Sequence, residues 1–167
     1  ELYVLETTND TSWLVSDIDP GSSGSNPNHF TAVGTRLYFS ASDGSAGYEL
    51  WAHETTNDTS WLVSDIHISS HSTPEYIVTV GTRIYFNAED GSSGHELWAH
   101  ESTNGTTWLA ADIRSGFAHS NPKYLTVVGT RIYFNADDGG GSGDGLWAHE
   151  TTNDTSWQVT NISQSPK

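Results

Sequence analysis

The chain has 167 residues, with 21 acidic against 6 basic side chains and a formal charge of −15. That sign excludes a sequence-independent grip on nucleic acid or anionic lipid, and the absence of cysteine excludes disulfides, thiolate metal sites and thiol nucleophiles. No apolar run approaches the roughly 18 residues needed to cross a bilayer, so no membrane insertion is expected.

An opening at Glu1 without methionine predicts a processed or excised piece of a longer product. The acidity has two readings: solubility at high salt, where screening shortens self-repulsion, and cation binding.

In chain order, residues 1–18 form a predicted half unit. Its closing phrase ETTNDTSWLVSDI, Glu6 to Ile18, returns unchanged from Glu54 to Ile66. Three whole units follow over 19–66, 67–113 and 114–162, with a tail at 163–167. The tryptophans set the period. Trp13, Trp61, Trp108 and Trp157 are spaced 48, 47 and 49 residues apart; Trp51, Trp98 and Trp147 are spaced 47 and 49, with Tyr3 in the same register.

Each unit reads as four short strands. A first strand such as EYIVTV (75–80) is joined to RIYFNA (83–88) through Gly81-Thr82, a two-residue type II′ hairpin in which glycine takes the positive φ. Gly34-Thr35 and Gly129-Thr130 repeat it. An acidic, glycine-rich turn leads to the WAHE-type strand, and a second hairpin is predicted at Asn57-Asp58 and at Asn104-Gly105 as a type I′ turn. That register sets Glu54 opposite Trp61, His53 opposite Leu62, Ala52 opposite Val63 and Trp51 opposite Ser64. Leu50, Ala52, Trp61 and Val63 then share one face, and Trp51, Leu62 and Ile66 the other, so both faces need cover.

Four strands per roughly 48 residues with two-sided burial predict an all-β chain of β-propeller blades. A β-trefoil is the alternative. Fourteen strands make 3.5 blades, and a propeller needs about four or more to close, so self-association is expected. A homodimer completing the ring brings the strand content of seven blades, although its eight WAHE-type and six GTR-type pairs do not tally with seven regular ones.

The run from Asp90 to Gly139, DGSSGHELWAHESTNGTTWLAADIRSGFAHSNPKYLTVVGTRIYFNADDG, resembles the ELW-type repeats (D-G-x-x-G-x-E-L-W) of large secreted bacterial and archaeal proteins. The resemblance extends over essentially the whole chain. It implies propeller blades, a secreted or cell-surface location and no assigned activity. Tyr3 and Leu5 depart from its Trp and His, and Gly145 replaces its turn glutamate.

Candidate chemistry is sparse. Asp43, Glu49, Asp90, Glu96, Asp138 and Asp144 could offer oxygens to calcium, the only cofactor considered, though Asp-Gly is also a common turn pair and no EF-hand spacing occurs. His53, His100 and His149 fall in different units, where packing explains them better than a shared metal. The tryptophans could be sugar platforms, against a packing role burying roughly 150 to 250 Å² each. Asn9, Asn57, Asn104 and Asn153 begin Asn-x-Thr sequons at hairpin tips, and Asn161 an Asn-x-Ser one, making them glycosylation candidates. Crossing loops between units, carrying His29, His67, His71 and His119, vary and are the better place for a glycan or protein ligand. No phosphate cradle, nucleophile elbow or zinc helix is present. The expectation is a non-enzymatic scaffold for recognition or adhesion, assembling as an oligomer, with a multivalent, calcium-dependent lectin as the alternative.

Overall fold

The computed structural model describes residues 1–21, 23–141 and 143–160; Asn161 and the 163–167 tail lie outside them. Fourteen strands run in chain order: β1 (Leu2–Glu6), β2 (Thr11–Ser16), β3 (Asn28–Val33), β4 (Arg36–Ser42), β5 (Tyr48–Glu54), β6 (Thr59–Ser64), β7 (Glu75–Val80), β8 (Arg83–Ala88), β9 (Glu96–Glu101), β10 (Thr106–Ala111), β11 (Lys123–Val128), β12 (Arg131–Ala136), β13 (Gly145–Glu150) and β14 (Thr155–Thr160). β1 and β2 pair alone. The others form three antiparallel four-stranded sheets, each of four consecutive strands. No strand of one unit pairs with another unit's among the described residues, so the trefoil arrangement, in which units share a barrel, is not adopted.

Sequence chemistry explains the first hairpin. Val33 pairs with Arg36 across Gly34-Thr35, and Gly34 sits at φ 59° while Thr35 stays out of the left-handed region, as a glycine-led two-residue turn requires.

The second hairpin differs from expectation. Its loop is four residues, 55–58, so that Glu54 pairs with Thr59, His53 with Ser60, Ala52 with Trp61 and Trp51 with Leu62. The side chains decide this. Glu54 Oε1 accepts bonds from the Thr56 amide (3.2 Å) and hydroxyl (3.0 Å), and the Asn57 side-chain oxygen accepts one from the Thr59 hydroxyl (2.6 Å). Thr55 donates through both amide and hydroxyl to Thr35 O in the neighbouring hairpin. Asn57 thus builds an Asx turn, and of the Asn-Asp pair Asp58 alone is left-handed, φ 52°. Asn104-Gly105 behaves alike, with Glu101 pairing Thr106.

A two-residue slip preserves which face each side chain takes. Beyond it, a bulge at Leu50/Trp51, where Leu50 pairs with Ser64, reverses the far end of β6. Ile66 therefore packs with Leu50, Ala52 and Val63 rather than with Trp51 and Leu62.

The sheets stack face to face, and the core lies between them. Tyr38, Leu50 and Ala52 of one sheet meet Ile84, Phe86 and Ala88 of the next, with Trp98 alongside. One step on, Tyr85, Leu97 and Ala99 meet Ile132, Phe134 and Ala136, with Trp147 alongside. Leu2 and Ile18 cover Phe39, Ala41 and Trp51 at the other end. Trp51, Trp98 and Trp147 therefore each face the preceding sheet as packing. β3 lies against β7 and β7 against β11, making the first strand of each sheet its inner edge. The outward faces are uncovered: Tyr3 (63 % exposed) and Leu5 (58 %) on the β1–β2 hairpin, Trp157 (37 %) and Val159 (45 %) on β14.

Because Phe86 is fully buried at an inter-sheet core, Phe86→Ala should cost about 3–5 kcal/mol, read as a lower urea midpoint with the strand signature in circular dichroism retained.

Candidate functional site

Each described crossing between units is pinned by a glutamate, buried at the start of the third strand in the second and third crossings and part-exposed, just ahead of β1, in the first. Glu49, fully buried, accepts bonds from Ile66 N (2.8 Å), Ser72 N (2.8 Å) and Ser72 Oγ (2.5 Å). Glu96 repeats this with Ile113 N (2.8 Å), Ser120 N (3.0 Å) and Ser120 Oγ (2.6 Å), and Glu1 reaches Ile18 N (2.8 Å) and Ser25 Oγ (3.3 Å). Burial pushes both Glu49 and Glu96 up, against the pull of these donors, Glu96 to about 7. Their oxygens, considered for calcium, serve the loops.

Asp43 and Asp90 cap tight turns. Asp43 Oδ1 accepts bonds from Ser45 N and Ala46 N, both 2.8 Å, and the Ala46 amide foremost holds its carboxyl below the usual range. Asp90 does the same with Ser92 N (2.8 Å) and Ser93 N (2.7 Å); its partial burial acts upward, but these donors prevail and lower it. Asp138 Oδ1 accepts from Gly140 N (2.9 Å), and Asp144 is exposed. These six acids fall two to a sheet, in or just beyond the turn between its second and third strands, so no two sheets pool theirs.

The histidines of the WAHE strands are likewise apart. His53, His100 and His149 are buried, each with Nδ1 on a cross-strand hydroxyl (Ser60 3.0 Å, Thr107 2.9 Å, Ser156 2.9 Å). His100 and His149 lie against Tyr38 and Tyr85 of the preceding sheet, at 5.7 and 5.3 Å, and desolvation holds both below the ordinary histidine range. Trp61, Trp108 and Trp157 lie under Arg36, Arg83 and Arg131, at 5.8, 5.6 and 5.6 Å, and Trp13 is half exposed. Asn9, Asn57, Asn104 and Asn153 stand on exposed tips, their side-chain oxygens held by the sequon threonines at 2.6 to 2.8 Å.

The rim differs from sheet to sheet. Between the crossing loops and the turn at 43–47 lies a groove of ≈ 530 Å³ lined by Asp19, Asn26, Tyr48, Ser70 and His71 among others. Asn26 Nδ2 donates to Tyr48 Oη (3.0 Å), and the Tyr48 amide to His71 Nδ1 (2.9 Å). One sheet further, Glu89, His95 and His119 converge, with Glu89 Oε2 3.8 Å from His95 Nε2 and 4.0 Å from His119 Nδ1. His119 Nδ1 already accepts the His95 amide (2.9 Å), repeating His71, so its lone pair clamps the loop. Ile68 (86 % exposed) and Phe117 (79 %) project from the crossing loops.

The inner edge holds a row that sequence reasoning missed. His29, Tyr76 and Tyr124 occupy the bulge of each first strand at φ 55°, 54° and 58°, and follow left-handed Asn26, Thr73 and Asn121 at 43°, 45° and 48°. The rings touch in succession, at 6.1 and 5.5 Å. Left-handed backbone is costly for bulky residues and concentrates at functional surfaces. Asn28, Glu75 and Lys123 precede them. The available signal is an aromatic two residues after Pro27, Pro74 and Pro122; of the row, His29 alone is among the crossing-loop candidates read from sequence.

No protein-family model and no curated protein matches the chain. Among solved structures, it is similar to a puromycin hydrolase mutant complexed with PGG, at 14 % identity and a TM-score of 0.54, over 79 % of this chain and 20 % of that one. A protein assigned as TolB, from Agrobacterium tumefaciens, aligns at 13 % identity with a TM-score of 0.49, over 76 % and 43 %. The first of these is a propeller protein. The chain thus spans less than half the length of either, and the likeness is one of fold: an all-β, propeller-like array of repeated four-stranded sheets.

Glu96 generates a pH signature. Between the ordinary carboxylate value of 4.5 and about 7 the folded protein keeps a proton that the unfolded chain releases, so this contribution to stability is full below 4.5 and lost as pH rises through about 7. His100 and His149 act oppositely, since their depressed values remove stability as pH falls below 6.5. Urea unfolding from about pH 5 to pH 8 should show the gap between wild type and Glu96→Gln changing across that window, with wild type losing stability toward pH 8 relative to the variant.

Proposed function

We propose that the chain is a non-enzymatic recognition or adhesion scaffold, secreted or displayed at a cell surface, whose 3.5 propeller blades are completed into a ring by self-association. The observation that carries this reading is the contrast between frame and rim. β8 and β12 are the same six letters, RIYFNA, while equivalent rim positions read Ser42, Glu89 and Asp137, or Tyr48, His95 and Asp144. A constant frame with divergent loops suits binding. Catalysis usually needs one asymmetric constellation, and the buried polar groups here are copies placed in separate sheets. The resemblance to ELW-type repeats supports the surface location.

A lectin is the second reading, favoured by the inner aromatic row. Contiguous rings flanked by an amide, an acid and an amine at Asn28, Glu75 and Lys123 offer stacking faces and hydroxyl partners to a sugar chain. The test is a glycan array with Tyr124→Ala, a residue 71 % exposed. A sugar ligand should lose about tenfold in affinity, equivalent to ~1.4 kcal/mol, with an unchanged melting temperature. A blank array together with protein-ligand binding lost on Phe117→Ser would favour the scaffold reading. The scaffold reading also expects a chelator to leave the melting temperature unchanged; a rise of several degrees with calcium would favour the calcium-dependent alternative.

A further inference from the structure

We infer that the outward face of β11–β14 receives the β1–β2 hairpin of a second copy, with Arg131 of one chain bonded to Thr7 O and Asp10 of the other. This rests on the self-association proposed above and names the contact that makes it.

The warrant is a junction the chain already makes twice. Arg36 crosses from its sheet to the next, its terminal nitrogen donating to Ser102 O at 3.1 Å. Arg83 does the same to Thr151 O at 2.8 Å and adds the Asp154 carboxylate at 3.2 Å. Ser102 and Thr151 occupy one position of the hairpin loop, filled by Thr7 in the first half unit; Asp154 corresponds to Asp10. Arg131 is the third member of the arginine series and is held in the same pose, its Nε on Glu150 at 3.1 Å and its guanidinium over Trp157 at 5.6 Å. Arg36 and Arg83 show the same two restraints, on Glu54 and Glu101 at 3.4 and 3.5 Å and over Trp61 and Trp108. Within the described residues, Arg131 has no sheet beyond it to reach.

The receiving turn is equally prepared. Asp10 has φ 55°, against 52° for Asp154, so the loop presents its carboxylate alike. In the last sheet Asp154 also lies 3.7 Å from His149 Nε2. Leu5 stands where that histidine would be, leaving the Asp10 carboxylate with no hydrogen bond or ion pair among the described residues. Packing follows suit: Tyr38 and Tyr85 are buried under His100 and His149 of the next sheet, whereas Tyr133 is half-buried and Leu5 exposed. Joining the two faces sets Tyr133 against Leu5.

Two copies made head to tail form this junction twice and leave neither end bare. Each copy supplies three four-stranded sheets and one hairpin standing in a sheet's place, so a pair fills eight positions, within the roughly 4–8 blades of closed propellers. That replaces the seven-blade count drawn from strand content, because the hairpin takes a place of its own.

The experiment is sedimentation equilibrium at micromolar concentration on wild type, Arg131→Glu, Asp10→Arg and an equal mixture of the variants. Wild type should sediment at about 36 kDa, twice the 18.2 kDa chain. Each variant alone, with like charges at both junctions, should weaken the pair at least about a hundredfold. The mixture restores opposite charges at both junctions and should return to the wild-type mass, which also shows that both variants fold. Wild-type mass in either variant alone overturns this contact while leaving assembly intact. Failure of the mixture overturns it too. Wild type at 18.2 kDa overturns the assembly itself.

Discussion

Every sheet of this chain is apolar on both faces, and that constraint governs the rest. A sheet in a sandwich can turn one side to water; here Phe86 and Tyr85, adjacent in one strand, point into two different cores and are both fully buried. Stacking is the arrangement that satisfies such alternation. Removing a neighbour on either side would expose a core, so stability is shared along the array in the nearest-neighbour fashion of repeat proteins. Among the described residues, the outer faces of β1–β2 and of β11–β14 are the ones without such a neighbour.

Stacked sheets need connections that hold them in register without adding bulk. At two crossings the chain buries a carboxylate, Glu49 or Glu96, at the start of the third strand, where it collects amide hydrogens from both ends of the crossing loop. Burying such a group is tolerable because its oxygens are met by donors. It also separates duties. Loop backbone near the sheet is fixed, and side chains farther out are free to vary without disturbing the stack.

The strands, the glycine-led hairpins and the two-faced burial were legible because they follow from short-range chemistry: period-two alternation, and a residue type that can take positive φ. The second hairpin was misread because Asn57-Asp58 carries the letters of a two-residue turn while Glu54, Thr56 and Thr59 bind it from outside the pair. Local signals do not reveal which neighbour captures a side chain. Ile66 was set on the wrong face for a similar reason, since a bulge inverts everything beyond it and has no signature in apolar spacing. At the site, the rim loops were visible as variable segments, but Tyr76 and Tyr124 read as ordinary strand residues until the backbone showed them in a left-handed bulge.

Those bulged aromatics also bear on how the protein could change. A glycine at either position would relieve the backbone, because only residues with a Cβ resist that conformation. The strain held there is on the order of 1 kcal/mol at each ring. The Tyr76 ring packs on the core between the second and third four-stranded sheets and touches His29 and Tyr124, so a glycine there would exchange backbone relief for lost contacts and strip the inner edge of its flat surfaces.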